Sequence, residues 1–287
     1  MTIFERSLPM MIAQITDMHV RPRGKIAYGR VDTNAMLEAA VAKLEDLPRK
    51  PDLVIASGDL TDCGLAEEYE VLRDILEPLS MPVYLVPGNH DRRAELFAEF
   101  GSDGYMKNDD GFLHYTIEGH EMRLIGLDTV VPGHGHGEMC AQRLAWLEGR
   151  LAERRDQPTL VFMHHPPFST GLADMDRINC RNGQAMSGVL RRVDNIERVV
   201  CGHHHRPITV RWGGTVGSVA PSTAHQVTLD LIPDNRTTFV MEPPGFQLHL
   251  WSAEAGLVTH TVPIGRFDGP FPPVLDADYP GHKAEAA

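Results

Sequence analysis

Five short apolar runs in this chain each lead at once into a cluster of Asp, His or Asn. Met10–Ile15 precedes Asp17-Met18-His19, Leu53–Ala56 precedes Ser57-Gly58-Asp59, and Val83–Val86 precedes Pro87-Gly88-Asn89-His90-Asp91. Thr159–Met163 precedes His164-His165-Pro166-Pro167, and Arg198–Cys201 precedes Gly202-His203-His204-His205. Such runs predict buried strands, and the helical patterns between them predict an α/β chain. After Asp32 and Thr33, a suitable cap, the apolar positions Met36, Leu37, Ala40, Val41, Leu44 and Leu47 follow a 3.6-residue period. Further helices are predicted over about 66–79, 141–154 and 184–193, with Phe112–Glu118 and Met122–Leu127 as an antiparallel pair around Gly119. Ligands of open α/β sheets gather at the carboxyl ends of the strands. One polar cluster there carries little weight, but five on one edge point to a single site.

Composition narrows the function classes. Of the 287 residues, 42% are hydrophobic and 23% charged, as in an ordinary globular protein. Lys and Arg number 27 against 39 Asp and Glu, a net charge of −12. That balance disfavours gripping duplex nucleic acid or an anionic membrane surface. No apolar run approaches the roughly 18 residues of a membrane span. Leu8–Ile15 is expected as a first strand rather than a signal peptide, and the chain as cytoplasmic. Cys63, Cys140, Cys180 and Cys201 form no C-x-x-C pair, which excludes zinc-ribbon and thioredoxin-type readings and leaves small buried thiols. The 15 histidines are the surplus that needs a chemical reason.

The clusters supply one. Asp17 and His19, like His203 and His205, are two residues apart, so in extended chain both members of a pair face one side. Gly58 allows the sharp turn that exposes Asp59. Oxygen and nitrogen donors without thiolate suit Mn, Fe, Co, Ni or Zn, and the set is large enough for two ions. Asp59, with lone pairs on both oxygens, can bridge them. Two divalent ions bring about +4 and two aspartates −2, so the site attracts an anionic ester inside an acidic chain.

Together, Asp17-x-His19, Gly58-Asp59, Gly88-Asn89-His90-Asp91, His164-His165-Pro-Pro and Gly202-His203-x-His205 resemble the signature of the calcineurin-like metallophosphoesterases. Arg21-Pro-Arg-Gly24 with Tyr28-Gly29, Asp62-Cys63-Gly64 and His225-Gln226-Val227 resemble the branch of class III cyclic-nucleotide phosphodiesterases and bacterial glycerophosphodiesterases. The resemblance implies a four-layer α-β-β-α sandwich of two mixed β-sheets flanked by helices, with a small C-terminal cap. The catalytic domain is expected over residues 1–265, with cap or dimerisation strands at about 225–262 and an irregular tail over 266–287.

The same resemblance implies two divalent transition-metal ions, from Fe, Mn, Zn or Co. One would be held by Asp17, His19, Asp59 and His205, the other by Asp59, Asn89, His164 and His203, with Asp59 bridging. It implies hydrolysis of small phosphodiesters, 3′,5′-cyclic nucleotides such as cAMP or glycerophosphodiesters, by in-line attack of a metal-bound hydroxide. Asn89, His90 and His225 would contact substrate, with His90 protonating the leaving alkoxide. A homodimer or higher homo-oligomer is expected, with no duplex nucleic acid or membrane partner. The alternatives are a nuclease or phosphomonoesterase of the same superfamily, or a scaffold with the fold but no chemistry; a scaffold should lack ligands, and here every position is filled.

The remaining positions carry weaker signals. His204 stands where this branch often has Asn, and either alters the metal shell or points away. His165 either supports the shell or packs. Pro132–Gly137, with His134 and His136, reads as a flexible Gly-rich connector or a mobile active-site loop. Arg21, Arg23, Lys25 and Arg30 either steer phosphate or form a solvated basic loop. His114, His120, His249, His260 and His282 read as packed or surface residues.

Overall fold

The computed structural model describes residues 8–108 and 110–272. The strands build two mixed sheets packed face to face, with helices outside them. The first sheet has the order β13 (Gly256–Pro263), β12 (Gly245–Ser252), β1 (Met10–Ile15), β2 (Leu53–Ser57), β3 (Val83–Val86). The second runs β4 (Tyr115–Ile117), β5 (Arg123–Leu127), β6 (Thr159–Met163), β7 (Ile196–Cys201), β9 (Thr215–Val219), β8 (Ile208–Trp212). β1, β2 and β3 are parallel, as are β5, β6, β7 and β9; the other pairings are antiparallel. Helices α1 (Thr33–Glu45), α2 (Ala66–Leu76) and α3 (Arg93–Phe100) follow the strands of the first sheet; α4 (Ala141–Glu153), α5 (Ala173–Asp176) and α6 (Gly183–Leu190) accompany the second.

The two-residue period of the strands sorts their side chains between layers. Leu124, Leu160, Phe162 and Val200 share the core of the first sheet, while Ile125, Val161, Met163 and Val199 pack on the other face. There they meet Leu147 and Leu151 of α4 and Met186 and Leu190 of α6. Asp32 caps α1 as expected, its carboxylate accepting from the Ala35 amide at 3.1 Å. α2 ends at Leu76, short of the predicted 79, because Pro78 has no amide hydrogen to continue the ladder. α3 was not legible, since only Leu96 and Phe100 are buried along it and no periodic stripe results.

The expected cap over 225–262 divides in two. β10 (Gln226–Val227) and β11 (Phe239–Val240) form a separate hairpin, but residues 245–263 belong to the first sheet. β12 pairs antiparallel with β1, from Met10↔Trp251 to Gln14↔Gln247, and buries Phe246, Leu248 and Trp251 in the common core. Its backbone pairs the otherwise open edge of β1. Residues 266–272 contain no helix or strand, and the rest of the predicted tail lies outside the described residues.

Two buried polar groups fasten the edge at which the five clusters meet. The Gln14 amide nitrogen donates to Ser57 Oγ at 2.8 Å and to the Cys201 carbonyl at 2.9 Å, joining β1 and β2 to β7 across the sandwich. Its oxygen accepts from His249 Nε2 at 3.1 Å, and His249 Nδ1 lies 2.8 Å from Thr259 Oγ1. With its amide nitrogen spent on acceptors, Gln14 fixes His249 as the Nε2–H tautomer. Asp91 is the second fastener. Its carboxylate accepts from the amides of Leu60 (3.0 Å), Thr61 (3.1 Å) and Gly88 (2.8 Å), and from the hydroxyls of Thr61 (3.1 Å) and Tyr69 (3.0 Å). The loop after β2 is thereby tied to the loop after β3.

Both fasteners give predictions. Burial pushes the His249 imidazole down to about 3. The unfolded chain, with its histidine near 6.5, binds the extra proton first, so this contribution is present above pH 6.5 and is lost as pH falls toward 3. From pH 7.5 to 5.0, His249→Gln should lose about 2 kcal/mol less stability than wild type in urea titrations with EDTA present. Equal losses would contradict the assignment. Asp91→Asn turns an acceptor into a donor against N–H groups and should cost about 2–3 kcal/mol. That corresponds to a fall of roughly 4–10 °C in Tm at pH 8 in EDTA; an unchanged Tm would show that the two loops hold without it.

Candidate metal centre

The five strand ends converge as the sequence reading expected. The clusters sit on strained backbone: Asp17, His19, Asp59, His203 and His205 all have positive φ, between 47° and 73°. Among the described residues only Tyr28 and Asn182 join them as non-glycine residues with positive φ. Such conformations cost energy and persist where the surroundings over-determine them. Here the constraint is a set of loop hydrogen bonds, from the Asp17 amide to the Gly58 carbonyl (3.0 Å) and from the His19 amide to the Asp59 carbonyl (3.0 Å). Close approach requires two glycines. A Cβ on Gly88 would lie 2.2 Å from the Asp59 amide nitrogen, and one on Gly202 2.1 Å from Thr16 Oγ1 and 2.9 Å from the Ser57 carbonyl oxygen.

Asp17, His19, Asp59 and His205 form one buried group, with one ligand atom from each lying within 4.8 Å of the others. His19 Nε2 is 3.2 Å from His205 Nε2 and 3.7 Å from Asp59 Oδ2, and His205 Nε2 is 3.2 Å from Asp17 Oδ1. His205 Nδ1 donates to the His225 carbonyl at 2.9 Å, and His19 Nδ1 faces Asp62 Oδ1 at 3.3 Å. With Nδ1 of His205 donating to a carbonyl, its Nε2 presents a lone pair inward. The Asp17 carboxylate is anchored from behind by the His203 amide, 3.0 Å from each oxygen.

The second group is built the same way. His164 Nδ1 donates to the Ser57 carbonyl at 2.8 Å, turning Nε2 toward Asp59 Oδ1 (3.3 Å) and Asn89 Oδ1 (3.2 Å). His203 Nε2 is buried without a hydrogen-bond partner, beside His164 and His165. The two Asp59 oxygens thus face different sets of donors. Acceptor atoms crowded this closely out of water are costly unless a cation or protons lie among them. All are nitrogen or oxygen donors, so the residues fit divalent transition-metal ions.

Titration reflects the crowding. Burial would raise the Asp59 carboxyl, but His164 and His90 beside it hold it well below the carboxylate range. Burial opposes a charge on His164, yet the Asp59 carboxylate carries its imidazole up to about 9. Burial and its histidine neighbours push His203 well below the ordinary value, so its Nε2 stays a neutral lone-pair donor.

The remaining expected residues surround this core. His90 Nδ1 bonds the Asp62 carbonyl at 2.7 Å, which leaves Nε2 facing the cleft, 4.0 Å from Asp59 Oδ2. Burial opposes its charge, but Asp59 prevails and raises the imidazole above its ordinary value. The His225 ring lies 4.7 Å from the His205 ring and 5.4 Å from that of His19. Tyr28 and Phe239 extend this wall, their rings 5.3 Å and 5.2 Å from His225. His204 turns away, bonding Thr170 Oγ1 at 3.0 Å and Asn179 Oδ1 at 2.7 Å. His165 lies with His164 and His203, one ring nitrogen of each within 4.8 Å of the others, and its Nδ1 is 2.7 Å from Thr129 Oγ1. Arg21 is engaged by Glu68 and Asp62, and Arg23 by Asp74.

Asp62 is the functional residue that sequence reasoning passed over. It lies in the Asp62-Cys63-Gly64 segment, three residues after Asp59, a spacing visible in the sequence. Both its side-chain carboxylate and its main-chain carbonyl are used, the first against His19 and the second against His90.

Comparison with known proteins agrees with this geometry. Residues 10–207 match the calcineurin-like phosphoesterase family model. The chain is 39% identical over 264 residues to a probable glycerophosphodiester phosphodiesterase of Arcobacter nitrofigilis, covering 92% of this chain and 96% of that one. It is 36% identical over 267 residues to a probable cyclic nucleotide phosphodiesterase of Rhodopseudomonas palustris, covering 91% and 94%. A dimetal phosphatase from Danio rerio superposes with a TM-score of 0.63 at 16% identity over 90% of this chain and all of that one, a likeness of fold. The chain belongs to the calcineurin-like phosphoesterase family.

Proposed function

We propose that the protein is a binuclear-metal phosphodiesterase that hydrolyses small phosphodiesters. The observation that carries this is Asp59, with Oδ1 3.3 Å from His164 Nε2 and Oδ2 3.7 Å from His19 Nε2. Asp17, His19, Asp59 and His205 would hold one ion, and Asp59, Asn89, His164 and His203 the other, drawn from Fe, Mn, Zn or Co. When bound, such a pair lowers the pKa of water and neutralises charge developing on the phosphoryl oxygens.

The chain's own residues do the rest. Asp62 orients two rings: its carboxylate faces His19 Nδ1 and its carbonyl accepts from His90 Nδ1. His90 Nε2, in the half-open cleft, hands its proton to the departing alkoxide, a step worth about 10²–10⁴-fold. Asn89 offers a neutral oxygen beside His164, and its amide nitrogen can meet the ester. His225, Tyr28 and Phe239 form the wall that sheds water from the bound diester. The relatives named as glycerophosphodiester and cyclic-nucleotide phosphodiesterases support diesters of this size as substrates. The complete set of polar clusters argues against a scaffold without chemistry. Leu229, Leu231, Ile232 and Met241, each at least half exposed around the hairpin, support a homodimer or higher homo-oligomer.

Asp59→Asn tests the proposal. After loading with Mn²⁺ and gel filtration, wild type should retain about two ions per chain by elemental analysis and hydrolyse bis(p-nitrophenyl) phosphate. The variant should lose at least one ion, and kcat/KM should fall at least about 10³-fold. Retention of both ions with activity within about tenfold of wild type would contradict it.

A further inference from the structure

A cavity of about 320 Å³ is flanked by the edge strand β4 and by α4. None of its lining residues belongs to the cleft around His90. Its size is that of a small-molecule pocket, which starts at roughly 300 Å³. The His114 ring in its wall lies 4.8 Å from the Trp146 ring and 5.3 Å from that of Phe112, tilted by 31° and 34°. His114 is only 6% exposed, and its Nδ1 accepts from the Asp128 amide at 3.1 Å. Asp128 is itself held, its carboxylate accepting from the amides of Leu113 (3.0 Å) and Val130 (2.9 Å). The His114 ring hydrogen is therefore on Nε2, which is buried and has no partner among the described residues. Burial pushes this imidazole down to about 4, so it stays neutral. Arg150 has a second spare donor: a terminal nitrogen pairs with Glu153 at 2.9 Å, while Nε is buried without a partner. Two buried N–H groups without acceptors on one cavity wall call for a ligand that supplies them. Lys107 and Asp110, both exposed, add opposite charges to the lining.

We propose that this cavity is a second binding site, separate from the metal centre, for a planar nitrogen heterocycle whose edge carries both acceptors and donors, as a nucleobase does. The rings of Trp146 and Tyr105 offer faces for stacking. Ring nitrogens or exocyclic oxygens accept from His114 and Arg150, and an exocyclic amine donates to Asp110 or to the Thr116 hydroxyl. A hydrocarbon ring would stack but leave both buried N–H groups unsatisfied. A bare anion would meet Lys107 but offer nothing to the rings or to Asp110. The site stands whether or not the metal centre hydrolyses diesters, because the two share no residue.

Adenosine, which has no phosphate to draw it to the metal centre, is the probe, titrated in EDTA by calorimetry and by tryptophan fluorescence. It should bind saturably with Kd below about 1 mM and change the fluorescence. In Trp146→Phe the fluorescence change should vanish while calorimetry still detects binding, which identifies the reporter. Thr116→Phe fills the cavity and Arg150→Met removes its Nε–H; each should raise Kd at least about fivefold with the circular dichroism spectrum unchanged. Ribose 5-phosphate, an anion without the ring, and phenyl β-D-glucoside, a ring without the polar edge, should bind at least about fivefold more weakly than adenosine. Phe239→Ala, in the metal cleft, should leave adenosine binding unchanged. No saturable binding of adenosine would overturn the proposal. So would equal binding of either control, an unchanged Kd in both Thr116→Phe and Arg150→Met, or a loss confined to Phe239→Ala, which would place adenosine in the metal cleft.

Discussion

The Asp59 carboxylate divides the site, with one oxygen against His164 and the other against His19. The rest of the molecule can be understood as what is needed to keep a fully buried carboxylate there. Two sheets must bring their strand ends together, since His164 and His203 come from one and Asp17, His19 and Asn89 from the other. Gln14 supplies a polar fastener across that seam, and Asp91 ties the loops after β2 and β3 beside it. It also needs backbone held in the left-handed region at Asp17, His19, Asp59, His203 and His205. Strain of this kind is stable only when the surroundings leave the chain no other path.

Two scales of electrostatics coexist in this chain. Its net charge of −12 describes the surface and bears on which polyanions it repels at a distance. At the cleft the relevant charge is local, because screening reduces exposed charges beyond roughly 8–10 Å. Arginines near the site are mostly committed to structure: Arg21 to Glu68, Arg93 to Asp128. Positive charge for an anionic ester therefore comes from whatever cations the histidines and aspartates hold.

Much of this was legible because the informative residues are local in sequence. Each strand and the acid or imidazole that follows it lie within ten consecutive positions, with a glycine between them in three of the five blocks, and the five blocks mark one edge. The assignments of β1, β2, β3, β6 and β7 needed no tertiary knowledge. What was not legible depends on contacts far apart in the chain. That β12 covers β1 rests on a pairing some 235 residues apart, between Gln14 and Gln247, which no local pattern encodes. Whether His204 alters the metal shell or points away was open in the sequence, and Thr170 and Asn179, distant in sequence, turn it away. Asp62 was visible as a carboxylate, but its service to both His19 and His90 appears only once the loops after β1, β2 and β3 are assembled.

Asp59 is proposed to stand between two cations. Anomalous X-ray diffraction from crystals soaked in Mn²⁺, collected near the manganese edge, reads this directly. The account predicts two peaks, one on the Oδ2 side of Asp59 among Asp17, His19 and His205, and one on the Oδ1 side among Asn89, His164 and His203. A single peak at full occupancy, or two peaks with Asp59 touching neither or only one, would contradict it.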